Sequence, residues 1–383
     1  MKVQKRNPRI LFVAPLPPPV HGSAMVSQYI KNSQLVQGVF DSDFVNLSTS
    51  RKMDEIGKGG AKKLLRFIGA YFTLLWKLLT RHYDLCYLAI TCHDKGFLKD
   101  APFVLLCKLF RRIVVIHQHN KGMSNCVDRW PYRWLLPLVY RNTKVILLSW
   151  YLYPDIEKVV RKEQVVICPN GIPELFDKEP HFERNNKVPS LLFLSNLIPS
   201  KGVYVLLDAC RILKERGFDF VCDFVGGETK EIDRAVFEAE VKLRELEGCV
   251  VYHGPQYGED KLRFFRQANV FVFPTYYYNE CFPLVLLEAM QWGLPLVSSD
   301  EGGIPDIVQD EVNGFITERE NVAALADALG VLIANPTLCL QMGERGHQRY
   351  KEEYTLETFE RKFVEVIKAC CKRPKMTSCE NFD

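Results

Sequence analysis

Residues 270–297 read VFVFPTYYYNECFPLVLLEAMQWGLPLV, and they contain a complete strand–helix–strand pattern. The apolar run Val270–Phe273 is followed by a turn rich in tyrosine, the apolar segment Leu284–Trp292 and a second apolar run, Leu296–Val297. Short apolar runs between turn residues predict buried strands, and the longer segment predicts a helix. Such a succession forms a parallel unit with a right-handed crossover.

The same alternation continues in both directions along the chain. Further strands are predicted at Arg9–Ala14, Leu85–Ile90, Ile113–Ile116, Val145–Leu148, Val165–Cys168, Leu191–Leu194, Phe220–Val225 and Cys249–Tyr252. A polar stretch with prolines, residues 173–189, separates two such series and is typical of a linker. We therefore predict an α/β protein with two doubly wound Rossmann-like domains and a ligand cleft between them.

Composition excludes several other classes of protein. The 383 residues are 47% hydrophobic and 25% charged, which is ordinary for a globular chain. The sequence contains no run of eighteen apolar residues, and the first twenty residues carry too short an apolar core for a signal peptide. The thirteen cysteines include no C-x2-C pair, which argues against a zinc site or a disulfide framework. We expect a cytoplasmic protein, either soluble or bound at the inner face of the membrane.

The charge is unevenly distributed. Residues 1–180 contain 27 Lys and Arg against 14 Asp and Glu, whereas residues 181–383 contain 23 against 32. Residues 62–81 mix cations with leucine and aromatic residues, a composition typical of an interfacial helix. A core helix with basic ends is the alternative. The basic half thus suggests contact with an anionic membrane or an anionic substrate, and we expect no nucleic-acid partner.

Signature motifs of several enzyme classes are absent from the sequence. It contains no G-x4-G-K-[ST] phosphate loop and no G-x-G-x-x-G turn after a strand. It also contains neither G-x-S-x-G nor H-E-x-x-H. P-loop enzymes, nicotinamide dehydrogenases, serine hydrolases of that type and zinc proteases are therefore disfavoured.

Two glutamates eight residues apart suggest a ligand site. Glu280 follows the strand Val270–Phe273 and its turn, and Glu288 lies in the next helix, for which Pro283 suits the first position. The backbone N–H groups near this helix start can bind an anion, and we expect those of Phe282, Leu284 and Val285 to face the cleft. Carboxylates on both sides can accept hydrogen bonds from sugar hydroxyls. An amphipathic helix with two solvated glutamates is the alternative interpretation.

The segment 279–293 resembles the Glu-x7-Glu signature of the family 4 retaining glycosyltransferases, which have the GT-B fold. The resemblance extends in the family's order from residue 10 to about residue 355. The other matching segments are Pro17-Pro-Pro-Val-His21-Gly22, Pro169-Asn170-Gly171-Ile172, Lys201-Gly202, Pro274-Thr275, Gly293-Leu-Pro-Leu-Val297, Glu301-Gly302-Gly303-Ile-Pro-Asp-Ile-Val308 and Asn313-Gly314-Phe315. The implied domains are an acceptor domain in 1–175 and a donor domain in 188–355, followed by a crossover helix returning to the first domain in 356–372 and a flexible tail in 373–383.

The resemblance also implies roles for individual residues. Glu288 would hold the ribose hydroxyls, Glu280 the transferred sugar, and Lys201 the donor diphosphate. Gly22 would let backbone N–H groups approach the phosphates, and Phe282, Pro283 and Leu284 would contribute the helix start. The family also has a histidine facing the donor sugar, for which His119 is our choice and His117 the alternative. His119, Glu280 and Lys201 would thus act at the reacting centre.

One position departs from the family. An arginine usually stands five residues before the lysine, where this chain has Asn196, which would contact the donor without supplying a charge. Pairing with the diphosphate is then either weakened or supplied elsewhere, for which Arg263, Arg266 and a basic residue of the amino-terminal half are the candidates. This departure motivates a second hypothesis, a catalytically silent subunit or regulator that binds a nucleotide sugar.

The expected activity is retaining transfer of a sugar from a nucleotide sugar to a glycan or lipid-linked glycan, in surface polysaccharide biosynthesis. No carboxylate matches the nucleophile of retaining glycosidases, so the resemblance implies substitution on the same face of the sugar. No metal or other cofactor is expected, because Lys201 and the helix start would carry the diphosphate charge. A phosphorylase or an epimerase would need a signature of its own, which we do not find.

Overall fold

The computed structural model describes residues 6–18, 21–48, 60–176, 182, 184 and 186–371. Two six-stranded sheets organise them, each with all its strands parallel. The fold class predicted from the sequence, two doubly wound α/β domains, is therefore confirmed. The domain limits predicted above stay a prediction, and the tail 373–383 lies outside the described residues.

The first sheet has the strand order β2-β1-β3-β4-β5-β6. Its strands are β1 (Arg9–Ala14), β2 (Asp41–Asn46), β3 (Leu85–Ile90), β4 (Ile113–Gln118), β5 (Lys144–Leu147) and β6 (Val165–Ile167). Its helices are α1 (Gly22–Asn32), α2 (Gln34–Val39), α3 (Ala61–Thr80), α4 (Asp94–Leu109) and α5 (Tyr132–Tyr140). Every residue of the central strand β3 is buried, as expected for a parallel sheet with both faces covered.

The second sheet has the order β12-β11-β10-β7-β8-β9. Its strands are β7 (Ser190–Leu194), β8 (Val221–Val225), β9 (Val250–Tyr252), β10 (Val270–Phe273), β11 (Leu296–Ser299) and β12 (Gly314–Thr317). Its helices are α6 (Val203–Glu215), α7 (Arg234–Leu243), α8 (Gly258–Gln267), α9 (Leu284–Gln291), α10 (Ile304–Ile307), α11 (Val322–Ala334) and α12 (Pro336–Arg349). In each sheet the strand order reverses beside the strand that comes first in the sequence, which is β1 in the first sheet and β7 in the second. This reversal creates a crevice at the carboxyl ends of the strands.

A last helix, α13 (Leu356–Cys371), packs on the first sheet although it follows the second. Phe363 lies near the rings of Phe12 and Tyr87, with its centroid 5.4 Å from that of Tyr87. Phe359, Val364 and Ile367 are buried in the same apolar cluster. This position agrees with the crossover helix that the family resemblance implies.

The chain passes between the domains twice, and the two passages are bonded to each other. Ile172 N–H donates to the carbonyl of Tyr354 at 3.0 Å, and Leu356 N–H donates to the carbonyl of Ile172 at 2.9 Å. A Cβ on Gly171 would lie 2.3 Å from the carbonyl oxygen of Thr355, so this contact requires glycine. The two passages therefore form one connection of two adjacent segments.

The structure corrects several predictions about the elements. Strand β12 was not predicted, because it is short and begins with glycine. Pro283 is the N-cap of α9, one residue before the predicted position, since its ψ of 115° is extended rather than helical. In the described part of the chain no single helix has the length and hydropathy of a membrane span, although the bent pair Val322–Ala334 and Pro336–Tyr354 passes both limits when taken together.

Candidate functional site

A cavity of about 700 Å³ lies between the two domains, where the strands of both sheets end. Side chains and backbone of both domains form its wall. The first domain contributes His21, Gly22, Ser23, Met25, Thr91, His119, Asn120, Leu148 and Asn170. The second contributes Leu194, Ser195, Lys201, Lys261, Phe273, Tyr277, Asn279, Glu280, Cys281, Phe282, Pro283, Leu284, Val285 and Glu288. The structure thus brings together most of the residues singled out in the sequence.

Lys201 and Glu280 form an ion pair in this wall. Lys201 lies in the short turn before α6, and its Nζ is 2.5 Å from Oε2 of Glu280. The two side chains are only 15% and 11% exposed. The same ammonium lies over the ring of Tyr277, 4.4 Å from its centroid. The cation is therefore held in place by a carboxylate and an aromatic face.

Glu288 forms a second ion pair, in the second turn of α9. Its Oε2 lies 2.6 Å from Nζ of Lys261, on α8. From the first domain, Tyr29 of α1 is close enough that burial, together with the charge of Glu288, raises the pKa of its phenol. The two glutamates of the motif thus share one pattern, in which each pairs with a lysine at the cavity wall.

The segment before α9 is fixed by an unusually close approach of backbone. Gly303 N–H donates to the carbonyl of Cys281 at 2.7 Å. A Cβ on Gly302, whose φ is +58°, would lie 2.3 Å from the carbonyl oxygen of Glu280. Glycine is therefore required here, and the loop after β11 holds the backbone at 280–282 against the cavity.

The amino-terminal end of α1 forms the opposite wall. An added Cβ at Gly22 would meet nothing within 4 Å, so the backbone there is open to the cavity. His21 is the N-cap of this helix, and its Nδ1 lies 3.1 Å from Oγ of Ser23. Burial lowers the pKa of His21, which favours the neutral ring at pH 7.

The two candidate histidines occupy different positions. His119 lines the cavity, whereas His117 is fully buried in β4 with its Nδ1 2.7 Å from the hydroxyl of Tyr87. Their ring centroids are 4.0 Å apart. Nε2 of each ring is buried without a hydrogen-bond partner. Burial lowers the pKa of His119 to about 3 and that of His117 well below its ordinary value.

The structure gives no support for a donor contact by Asn196 or for charge compensation by Arg263 or Arg266. Asn196 is exposed and does not line the cavity, and its Oδ1 accepts a hydrogen bond from the N–H of Gly227 at 3.2 Å. Arg266 pairs with Glu259 at 2.9 Å, and Arg263 lies over the ring of Phe264. Neither arginine lines the cavity.

Sequence reasoning missed a second set of charged residues beside the cavity. Lys121, in the loop after β4, pairs across the cleft with Glu301, whose side chain is 2% exposed. Arg319 also pairs with Glu301, at 3.1 Å. The ammonium of Lys121 lies over the ring of Tyr278, whose hydroxyl is 2.7 Å from Oγ of Ser124. Glu301 lies in a segment that matches the family, but the sequence did not indicate its ion pairs, because Lys121 lies 180 positions away and Arg319 lies 18 positions away.

The described part of the chain contains no group of three or more histidine, cysteine, aspartate or glutamate side chains placed to hold a metal ion. The cysteines in this part are all free. The polar groups that face the cavity are thus two ion pairs, neutral imidazoles, amides and backbone N–H groups, a set suited to an anionic polyhydroxyl ligand.

The chain is similar to known glycosyltransferases. Residues 176–349 match the family model described as Glycosyl transferases group 1. The chain is 33% identical over 143 residues to the amylovoran biosynthesis glycosyltransferase AmsK of Erwinia amylovora, covering 36% of this chain and 34% of that protein. It is 26% identical to the putative colanic acid biosynthesis glycosyltransferase WcaL of Escherichia coli K12, covering 54% of this chain and 52% of that protein. The chain thus spans about a third to a half of the length of these curated relatives.

Solved structures resemble the whole described chain. Anabaena HepE in complex with UDP superimposes with a TM-score of 0.73 at 17% identity, over 94% of this chain and 100% of that one. At this identity the likeness concerns the fold, which is GT-B.

Proposed function

We propose that this chain, whose residues 176–349 belong to the group 1 glycosyltransferase family, moves a sugar from a nucleotide sugar to a glycan or lipid-linked glycan in surface polysaccharide biosynthesis. The observation that carries the proposal is the convergence of Glu280, Glu288 and Lys201 on one interdomain cavity. The names of AmsK and WcaL support a polysaccharide product. The UDP bound to HepE supports a nucleotide-sugar donor.

The donor would lie across the cavity with its ribose at Glu288 and its sugar at Glu280. A carboxylate accepts two hydroxyl hydrogen bonds, so each glutamate suits a pair of neighbouring hydroxyls. The diphosphate would lie between Lys201 and the backbone N–H groups at the starts of α1 and α9, where the helix dipoles favour negative charge. Lys201 is already 2.5 Å from Glu280, so the donor would have to separate this pair or bind beside it.

The transfer would retain the anomeric configuration. The bond between the anomeric carbon and the diphosphate oxygen breaks, and the bond to the acceptor oxygen forms on the same face. The acceptor hydroxyl proton passes to the leaving phosphate, so the nucleoside diphosphate leaves with the electron pair of the broken bond. The protein would contribute orientation through Glu280 and charge stabilisation through Lys201. His119, which is neutral in this pocket, would act as a hydrogen-bond partner of the sugar rather than as a cation.

The helix α3 supports a membrane-linked acceptor. Leu74 and Leu78 face the core, while the opposite side of the helix exposes apolar residues, namely Leu64, Leu65, Ile68, Phe72, Trp76 and Leu79. Lys62, Lys63 and Arg66 lie in the first two turns. An apolar stripe with cations beside it suits an anionic lipid surface. The helix α5, on the same side of the sheet, exposes Trp134 and Leu138 as well.

Nucleotide binding and turnover test the proposal together. The melting temperature of the protein is measured with UDP, GDP, ADP and their common sugar conjugates, beside Glu288→Ala. A ligand at 100 times its Kd adds about 2.7 kcal/mol to the free energy of unfolding, and the variant should lose this gain. Release of nucleoside diphosphate from the stabilising sugar conjugate must then be detectable. Binding without turnover would favour the silent-subunit hypothesis, and absence of binding would overturn both.

Metal independence is tested separately. Turnover is measured after dialysis against excess chelator and again after addition of Mg²⁺ or Mn²⁺. We expect unchanged turnover, because Lys201 and backbone N–H groups would stabilise the leaving diphosphate. Loss of turnover in chelator that either metal restores would contradict this part of the proposal.

A further inference from the structure

The charges that line the cavity are balanced in pairs. Among the described residues, its wall contains the lysines 201 and 261 and the glutamates 280 and 288. Lys201 pairs with Glu280 at 2.5 Å, and Lys261 pairs with Glu288 at 2.6 Å. The position of Lys201 follows from the sequence motif, whereas nothing in the motif accounts for Lys261.

The fold places Lys261 with little freedom. It lies in the first turn of α8, whose buried face carries Phe264 and Phe265. Its ammonium is 5.8 Å from the centroid of the Phe265 ring, and its side chain is 23% exposed. Because the ammonium lies near this packed ring and pairs with Glu288, it is held at the cavity wall rather than in solvent.

The contact with Lys261 determines how Glu288 can bind a ligand. A carboxylate offers about four acceptor positions, and Lys261 occupies one on Oε2. The remaining positions can receive two hydroxyl donors at once. Without the ammonium, a carboxylate that is 19% exposed would lose its cation and could rotate among its rotamers. The lysine therefore fixes the orientation that a pair of vicinal hydroxyls requires.

We propose that Lys261 is a positioning residue that holds Glu288 for the 2′,3′-diol of the nucleotide ribose and so makes the site selective for ribonucleotides over deoxyribonucleotides. This inference rests on the proposed function, since it assumes that Glu288 binds ribose. It gives Lys261 a role in nucleotide selection. It does not make Lys261 a substitute for the positive charge that Asn196 lacks.

Isothermal titration with matched nucleotides tests this role. The probes are UDP, GDP and ADP, each beside its 2′-deoxy form, and the proteins are wild type, Lys261→Met and Lys261→Arg. Loss of one charge-assisted hydrogen bond should weaken deoxynucleotide binding to the wild type by about tenfold or more. In Lys261→Met the ribonucleotide should bind about tenfold more weakly, and the ratio of the deoxynucleotide Kd to the ribonucleotide Kd should fall towards one. Lys261→Arg should restore most of the ratio.

Lys201→Met is the matched control. It removes the other lysine of the cavity, so it should weaken both members of each nucleotide pair equally and leave the ratio unchanged. Donor titrations of turnover add a second readout, in which Lys261→Met should raise KM with kcat nearly unchanged. Circular dichroism and the melting temperature verify folding, and Lys261→Gln replaces the methionine variant if that variant is unfolded.

The outcomes are distinguishable. Equal weakening of ribo- and deoxyribonucleotides by Lys261→Met, or an unchanged ratio, would overturn the role of Lys261 while leaving the proposed function intact. If the wild type binds none of these nucleotides, the proposed function fails, and the inference about Lys261 fails with it.

Discussion

The ammonium of Lys201 lies between the carboxylate of Glu280, at 2.5 Å, and the ring of Tyr277, at 4.4 Å from its centroid. Two residues expected to contact different parts of a donor are thus bonded to each other. The pair keeps both charges compensated at low exposure, which would otherwise be costly. Ligand binding must separate this pair or take place beside it, so substitutions here should affect turnover as well as stability.

Replacement of Lys201 by methionine should lower kcat by about a hundredfold to a thousandfold, because a cation is then missing where the leaving diphosphate gains charge. Donor-dependent release of nucleoside diphosphate is the measurement. Lys201→Arg, which keeps the charge in another shape, should retain more activity than the methionine variant. Wild-type kcat in Lys201→Met would show that the diphosphate lies elsewhere.

Replacement of Glu301 by glutamine should destabilise the protein. Glu301 is 2% exposed and pairs with Lys121 from the first domain and Arg319 from the second. Removing one partner of a buried ion pair typically costs about 3–5 kcal/mol, since the remaining charges lose their partner. Urea unfolding measures the loss. Lys121→Met should cost less, because Arg319 continues to pair with Glu301, and equal losses in the two variants would contradict this account.

The stability of the protein should fall in mild acid. His119 has a pKa of about 3 in the folded protein, against about 6.5 in an unfolded chain, because burial disfavours its charged form. Between these values the unfolded chain binds a proton that the folded protein does not. The free energy of unfolding should therefore decrease as pH falls below 6.5, by up to about 1.4 kcal/mol per pH unit.

His117 should add to this effect in the same direction, because its pKa is lowered by burial too. Urea unfolding between pH 7 and pH 5 gives the slope for the wild type and for His119→Asn. This slope is proportional to the number of protons taken up on unfolding, and we expect that number to be smaller in the variant by about one. Identical slopes would mean that His119 is accessible and titrates normally in the folded protein.

The exposed face of α3 should bind anionic vesicles at low salt. Exchange of Leu65, Phe72 and Trp76 for serine should weaken this binding by at least about a hundredfold, since each apolar side chain contributes about 1.5–3 kcal/mol when it leaves water. Flotation with phosphatidylglycerol vesicles is the measurement. Leu243→Ser is the matched control, because Leu243 is 76% exposed but lies on α7 of the other domain. A wild type that does not float at low salt would rule out this contact.

The pattern of apolar residues in the sequence was sufficient to predict the strands that have a strong apolar signal. The predicted limits of Arg9–Ala14, Leu85–Ile90 and Val270–Phe273 coincide with those of β1, β3 and β10. By contrast, β2 has a weak apolar signal, because Asp41 and Asp43 lie in an edge strand, where polar residues can face solvent or form ion pairs. Asp43 in fact accepts hydrogen bonds from Lys77, Arg81 and Tyr83. Such pairing joins residues 34 to 40 positions apart and leaves no local pattern.

The residues of the candidate site also fall into those that the sequence could indicate and those that it could not. Glu280, Glu288 and Lys201 lie in motifs with fixed spacing, so the sequence could indicate that they share a site. The partner Lys261 could not be identified, since its contact with Glu288 depends on how α8 lies against α9. The choice of His119 over His117 followed from its place beyond the strand, and the structure has only His119 on the cavity wall. Its role towards the sugar stays a prediction.

The return of α13 to the first sheet has a consequence for synthesis on the ribosome. The apolar side chains that cover this sheet, among them Phe359 and Phe363, lie nearly 200 residues after the sheet's last strand, β6. At about 5–20 residues per second, the first domain would wait about 10 to 40 s for this helix. During that time the faces of Phe12 and Tyr87 that pack on Phe363 remain uncovered. The amino-terminal half should therefore depend on chaperones until the last helix has emerged.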